Sequence, residues 1–176
     1  KLTACEADAI YAGMLIDTNN FMQKTGVRTF EAAAYLRRCG AEINRVRKML
    51  RNDMADYKAR AEVMRNAEVY HGAFAISVCP ADKVESPTVV SAQSANELLN
   101  IIGIKASFVM TEYQNKIFIR SRSIDEINVQ SIMERLGGGG HASIAGAQLS
   151  ECSIEQAKQK IRSILDEMIE KGEREK

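Results

Sequence analysis

The sequence predicts an α/β fold in which a mixed β-sheet with packed helices is preceded by a purely helical segment. Three observations carry this reading. Up to residue 66 the apolar positions recur only at helical spacing. After His71-Gly72, strand-like and helix-like segments alternate. One pair of strands, 106–113 and 116–123, is separated by only Gln114-Asn115, a pair suited to a tight turn, so an antiparallel hairpin lies inside the alternating order and the sheet must be mixed.

Each element has a local reason. Ala4, Ala7, Tyr11, Met14 and Leu15 share a helical face over 3–15, and Asp17-Thr18-Asn19-Asn20 interrupts it, with Asp17 expected just past the helix. Thr29 can cap a helix over 30–39 that Gly40 ends. Residues 41–66 hold no Pro or Gly and are rich in Arg, Lys and Met, which fits one or two helices linking two lobes. A strand is expected at 74–79, then a helix around 91–102 with Ser86-Pro87 before it and Gly103 after it. Beyond the hairpin, Asn128 can cap a helix with Val129, Ile132, Met133 and Leu136 on one face. A glycine run follows, then a short strand at 145–149 and a last helix opened by the capping box Ser153-x-x-Gln156. The expected division is 1–40, a helical connector at 41–68, and a second domain at 69–176.

Composition removes several classes of function. The 176 residues are 45% hydrophobic, enough for a full core. Lys and Arg number 24 against 23 Asp and Glu, so the formal charge of +1 gives no general field for a long polyanion, and any phosphate site must be local. The basic cluster Arg45, Arg47, Lys48 and Arg51 is interleaved with acids and reads as a solvated face. The four cysteines lie far apart without zinc spacing and are expected to be small buried hydrophobes in a reducing environment. No apolar run reaches the length of a membrane span. The chain opens at Lys1, inside a helix-like pattern, and is expected to be part of something longer.

Three segments could carry chemistry. Gly137-Gly138-Gly139-Gly140 followed by His141 offers backbone N–H groups without side-chain obstruction, able to close on a phosphate or a base edge, with His141 adding a donor or a stacking ring. A flexible linker is the bland alternative. The run is wedged between an amphipathic helix and a short strand, however, so it is a tight turn inside one domain. No Gly-Lys-Ser/Thr follows, and the run comes after a helix, so neither an NTPase loop nor a dinucleotide-binding fingerprint fits. Arg120-Ser121-Arg122-Ser123 ends the hairpin, and strand alternation puts Arg120 and Arg122 on one face, where a guanidinium can grip phosphate through two parallel hydrogen bonds. A polar strand end is the competing reading. Asp17 closes an apolar run, a position suited to reaching a metal or simply to ending a helix.

Taken in order, these segments resemble the DHH phosphoesterase family with its DHH-associated C-terminal domain, across almost the whole chain. Gly13-Met14-Leu15-Ile16-Asp17-Thr18-Asn19-Asn20-Phe21 resembles the last conserved segment of the catalytic DHH lobe. The segment from Thr25 through Arg38 is similar to the membrane-anchored cyclic di-AMP phosphodiesterases of the GdpP type. Ser121-Arg122-Ser123 and Gly138-Gly139-Gly140-His141 match the two substrate-contacting motifs of the associated domain. Arg120 departs from the pattern, since relatives commonly place a serine there.

The resemblance implies a manganese ligand at Asp17, a phosphate ligand at Arg122 assisted by Ser123, and nucleotide contacts from Gly138, Gly139, Gly140 and His141. It implies that the full-length protein uses two manganese ions to open cyclic di-AMP to linear diadenylate, with adenine and the distal phosphate held by this chain. The remaining metal ligands, including the Asp-His-His motif, would lie before Lys1, so the chain alone is expected to be inactive. The parent is expected to be membrane-anchored, with this part in the cytoplasm and making no membrane contact. Preference for cyclic or linear dinucleotide stays open, as do binding of short RNA and homodimerisation. Two alternatives remain: a fragment of an oligoribonuclease or RecJ-like exonuclease, and a non-catalytic nucleic-acid-binding module.

Overall fold

The computed structural model describes residues 2–82, 84–124 and 127–174. They form two compact units, divided between Asn52 and Asp53.

The first unit is helical: α1 (Ala4–Asp17), α2 (Val27–Arg38) and α3 (Ile43–Met49). Thr3 caps α1 reciprocally, its hydroxyl accepting from the Glu6 N–H at 3.3 Å while the Glu6 carboxylate accepts from the Thr3 N–H at 2.8 Å. The helix runs slightly past the periodic stretch, so Asp17 is its last residue and not the first beyond it. α2 starts earlier than expected, at Val27, with Gly26 as its cap, and Thr29 sits inside the first turn, accepting from the Gly26 N–H at 3.3 Å. Ala7, Leu36 and Val46 bring the three helices together in one small core, and Phe21 stacks on Phe30 with ring centroids 5.4 Å apart. Asp8 is buried beside them. It accepts from Arg45 Nε at 2.6 Å, Arg45 Nη2 at 3.3 Å and the Glu42 N–H at 2.7 Å, fastening α1 to the start of α3.

The second unit contains α4 (Met54–Arg65), β1 (Glu68–Tyr70), β2 (Phe74–Val78), α5 (Pro87–Leu98), β3 (Ala106–Tyr113), β4 (Lys116–Ser123), α6 (Val129–Glu134), β5 (Gly139–Gly140), β6 (Ile144–Ser150) and α7 (Ile154–Arg174). The strands form one sheet in the order β1-β2-β3-β4-β6-β5. β2 and β3 are parallel and every other pair is antiparallel, as a hairpin within an alternating order requires. The segment expected as a connector, 41–68, is thus shared out: α3 packs on α1, while α4 packs on α5 and β2.

Side-chain alternation sorts the two faces. Ile76, Phe108, Met110, Ile117 and Ile119 point to the face covered by α6 and α7, where Ile132, Met133, Ile161 and Leu165 complete the larger core. Phe108 is fully enclosed, and truncating it to alanine would cost about 3–5 kcal/mol. Ala75 and Val109 point to the other face, where Val63, Val90 and Leu98 of α4 and α5 cover them. Two buried hydroxyls fasten these helices, Ser77 to the Val63 carbonyl and Ser107 to the Ala95 carbonyl, each at 2.7 Å. Among the described residues this second apolar cluster takes nothing from β4, β5 or β6. On that face β4 presents Phe118, Arg120 and Arg122, all half-covered. No helix among the described residues is long and apolar enough to cross a membrane.

Candidate functional site

β4 supplies the charged groups. Its burial alternates, with Ile117, Ile119, Ser121 and Ser123 turned into the larger core and Phe118, Arg120 and Arg122 half-covered on the opposite face. Arg122 is braced from α5, because its Nε donates to Asn96 Oδ1 at 3.1 Å and its Nη1 donates to the Ser121 carbonyl at 2.9 Å. Burial, and then the like charge of Arg120, hold its pKa below the ordinary arginine value. Neither arginine forms an ion pair with an acid among the described residues. An arginine stays charged at neutral pH, so two uncompensated cations share this open end of the sheet.

The glycine run reaches the same sheet from α6. The Gly138 N–H donates to the Met133 carbonyl at 2.8 Å and the Gly137 N–H to the Glu134 carbonyl at 3.0 Å, the double closure of a helix end. The chain then becomes β5, an edge strand pairing Gly139 with Gly146 and Gly140 with Ala145. The expected loop is therefore partly a strand. Two of its glycines are there for close approach: a β-carbon at Gly138 would lie 2.2 Å from the Gly146 oxygen, and one at Gly140 would lie 2.5 Å from Ala145 Cα. Gly139 faces open space. At His141 the chain turns, its N–H donating to the Ile144 carbonyl at 2.7 Å, and the exposed ring makes no hydrogen bond among the described residues.

Ser123 and Arg122 point to opposite faces. The Ser123 hydroxyl donates to the Ala142 carbonyl at 3.3 Å, which also accepts from the Val129 N–H at 2.9 Å. Ser123 thus holds the turn after His141 to the strand that bears Arg122. Register completes the layout: Arg122 lies opposite Ile144, and Arg120 opposite Gly146, which is itself opposite Gly139. Asn96, Gly146 and the Ala142 carbonyl were not read from the sequence. The only signal for Gly146 was its short Ala-Gly-Ala context in a strand.

Asp17 belongs to the helical unit. Its side chain is 73% exposed, and its Oδ1 lies 3.5 Å from Lys24 Nζ. Among the described residues no three His, Cys, Asp or Glu side chains converge to hold an ion. One carboxylate paired with a lysine is not by itself a divalent-metal centre, and Asp17 could serve only as one ligand of a set completed by other groups. Of the cysteines, only Cys79 is fully buried, and Cys5 is exposed. The expectation of four small buried hydrophobes holds fully for Cys79 alone: Cys39 and Cys152 are half-buried, and α1 presents Cys5 to solvent.

The DHHA1 domain model matches residues 72–171. The chain is 42% identical over 162 residues to the cyclic-di-AMP phosphodiesterase PdeA of Listeria monocytogenes, covering 92% of this chain and 24% of that protein. It is 40% identical over 173 residues to the cyclic-di-AMP phosphodiesterase GdpP of Geobacillus thermodenitrificans, covering 98% and 26%. The chain therefore spans about a quarter of the length of these curated relatives. Among solved structures, an exopolyphosphatase-related protein from Bacteroides fragilis superposes with a TM-score of 0.77 at 20% identity, over 92% of this chain and 51% of that one, which shows a shared fold. The family match takes in β4, the glycine run and β6 together, and this chain belongs to the DHHA1 domain family.

Proposed function

We propose that this chain is the substrate-binding part of a manganese-dependent phosphodiesterase that hydrolyses cyclic di-AMP to linear diadenylate, in a parent protein anchored to the membrane with this part in the cytoplasm. The observation that carries the reading is Arg122: a charged guanidinium, braced by Asn96, beside an open glycine edge and without an acidic partner among the described residues. An anion supplies what that environment lacks. The similarity to relatives named as cyclic-di-AMP phosphodiesterases supports a cyclic dinucleotide as the anion.

In this reading Arg122 binds phosphate, the open side of Gly139 admits the nucleotide, and the His141 ring packs against the base. Gly138 and Gly140 hold the strand close to β6 so that Gly139 keeps its place, and Ser123 positions the turn. Asp17 serves as one manganese ligand, with the others supplied by further segments of the parent protein.

Calorimetry with linear diadenylate tests this. The chain is expected to bind it, and Arg122→Ala to weaken binding at least about tenfold, the loss of one charge-assisted contact. Equal affinity of the two proteins would remove Arg122 from the site. Manganese is expected not to stimulate hydrolysis by this chain alone, and clear manganese-dependent turnover would show the metal centre to be misassigned.

A further inference from the structure

Asp17 stands in an unfavourable place. It is the last residue of α1, where the aligned peptide dipoles leave partial negative charge, and the last turn carries no basic side chain. Among the described residues its carboxylate meets only Lys24, itself exposed, at 3.5 Å. The helix gains nothing from a carboxylate there, whereas a cation held by that carboxylate would reverse the balance.

The backbone just beyond Asp17 is strained as well. Asn19, Asn20 and Phe21 take φ of 47°, 57° and 66°, left-handed residues in succession without a glycine among them. Ending a helix needs one such residue, and asparagine suits it. A second adds cost, and a bulky aromatic in that region is an outlier that persists only where its surroundings hold it. Thr18 does the holding. It is buried, its hydroxyl donates to the Met14 carbonyl at 2.7 Å and accepts from the Phe21 N–H at 3.0 Å, and its carbonyl accepts from the Gln23 N–H at 2.9 Å. The Phe21 ring is gripped by Phe30 and by the edge of Tyr11, centroids 6.3 Å apart for the latter pair. The turn also closes the helix, because the Met14, Leu15 and Ile16 carbonyls accept from the N–H groups of Thr18, Asn20 and Asn19 at 3.0, 2.8 and 3.2 Å. With its N–H groups engaged in this way the turn is no anion site. What it does is stop α1 from fraying at Asp17.

We propose that Thr18 is a positioning residue: by locking the left-handed turn at 19–21, its hydroxyl fixes the end of α1 so that the Asp17 carboxylate is held ready for manganese in the parent protein. The proposal rests on the reading of Asp17 as one manganese ligand. Without the lock the strained turn relaxes and the last turn of α1 loosens. A ligand on a loosened helix end must be ordered at every binding event, and that ordering lowers metal affinity.

Manganese titration of the parent protein by calorimetry, with the paramagnetic resonance of the bound ion as a second readout, decides the matter on the wild type, Asp17→Asn, Thr18→Val, Thr18→Ser and Phe21→Leu. Thr18→Val keeps the shape and loses the hydroxyl, and should weaken manganese at least about tenfold. Thr18→Ser restores the hydroxyl and should stay within about threefold of the wild type. Thermal unfolding of each variant fixes a titration temperature at which it is folded. Phe21→Leu keeps the left-handed strain but loses the ring contacts, so it loosens the same turn by a second route and should weaken manganese in the same direction even if Thr18→Val does not fold. Unchanged affinity in Thr18→Val and Phe21→Leu, or Thr18→Ser as weak as Thr18→Val, with Asp17→Asn impaired, would overturn the role of the Thr18 hydroxyl and leave Asp17 as a ligand. Unchanged affinity in Asp17→Asn would overturn both.

Discussion

The Ser123 hydroxyl donates to the carbonyl oxygen of Ala142 across 3.3 Å, while the neighbouring Arg122 side chain leaves the opposite face of the same strand. One pleat of β4 therefore does two things: it offers a cation to the open face and it ties down, from behind, the turn that begins at His141.

Replacing Ser123 with alanine should lower the unfolding free energy by about 1 kcal/mol, since the Ala142 carbonyl keeps its bond from the Val129 N–H. Urea denaturation with an unchanged slope and an earlier midpoint would show this. Affinity for linear diadenylate should fall less than in Arg122→Ala, because the charge remains. A loss as large as that of the arginine variant would mean that the hydroxyl itself touches ligand.

Two neighbouring glycines should respond in opposite ways to the same methyl group. Gly138→Ala drives a β-carbon against backbone atoms of Gly146 and Ala147, at 2.2 and 2.7 Å, and neither can swing aside, so a destabilisation of about 2 kcal/mol or more is expected. Gly139→Ala meets nothing within 4 Å and should change stability by less than about 0.5 kcal/mol, yet place a methyl on the open face and weaken dinucleotide binding. Denaturation and calorimetry on both variants separate the packing role from the binding role. Equal destabilisation of the two would contradict the pairing of β5 with β6.

What the sequence disclosed follows the range of the interactions involved. The hairpin matches its expected limits, Asn128 caps α6 by accepting from the Gln130 and Ser131 N–H groups, and Ser153 and Gln156 form their reciprocal cap, because the turn at Gln114-Asn115 and both caps depend on residues within four positions. Gly139–Gly140 did not read as a strand, since a two-residue ladder is decided by what lies across it on β6. β1 escaped notice for the same reason: it is short, and its Glu68 is held by Lys158 and Arg162, some ninety residues away. Strand alternation did put Arg120 beside Arg122, but only the packed structure shows that one is braced by Asn96 while the other has no side-chain partner among the described residues.

The cysteines should divide by exposure under native conditions. Burial pushes the Cys79 thiol up to about 12, and its side chain is enclosed, so it is neither ionised nor reachable at neutral pH. Cys5 is exposed. Brief treatment with an alkylating reagent followed by peptide mass spectrometry should find Cys5 modified and Cys79 intact until the protein is unfolded. Early modification of Cys79 would mean that the β2 end of the sheet opens far more readily than its packing allows.

Acid should weaken the helical unit through Asp8. The hydrogen bond from Arg45, then the one from the Glu42 N–H, hold the Asp8 carboxyl below its ordinary range against the opposing effect of burial. Arg45 is correspondingly raised by the same bond. A carboxyl whose folded pKa is depressed binds its proton more readily when unfolded, so its contribution is fully present above the unfolded value of about 4 and drains away as the pH falls through the lower folded value. Asp8→Asn should therefore reduce stability at neutral pH, and the gap between the variant and the wild type should narrow on acidification from about pH 5 toward about pH 2. Other carboxylates, Glu68 with Lys158 among them, lose their partners over the same range in both proteins, so the difference between the two denaturation curves isolates Asp8. A gap that stays constant across that range would show that Asp8 contributes through shape and neutral hydrogen bonding, not through its charge.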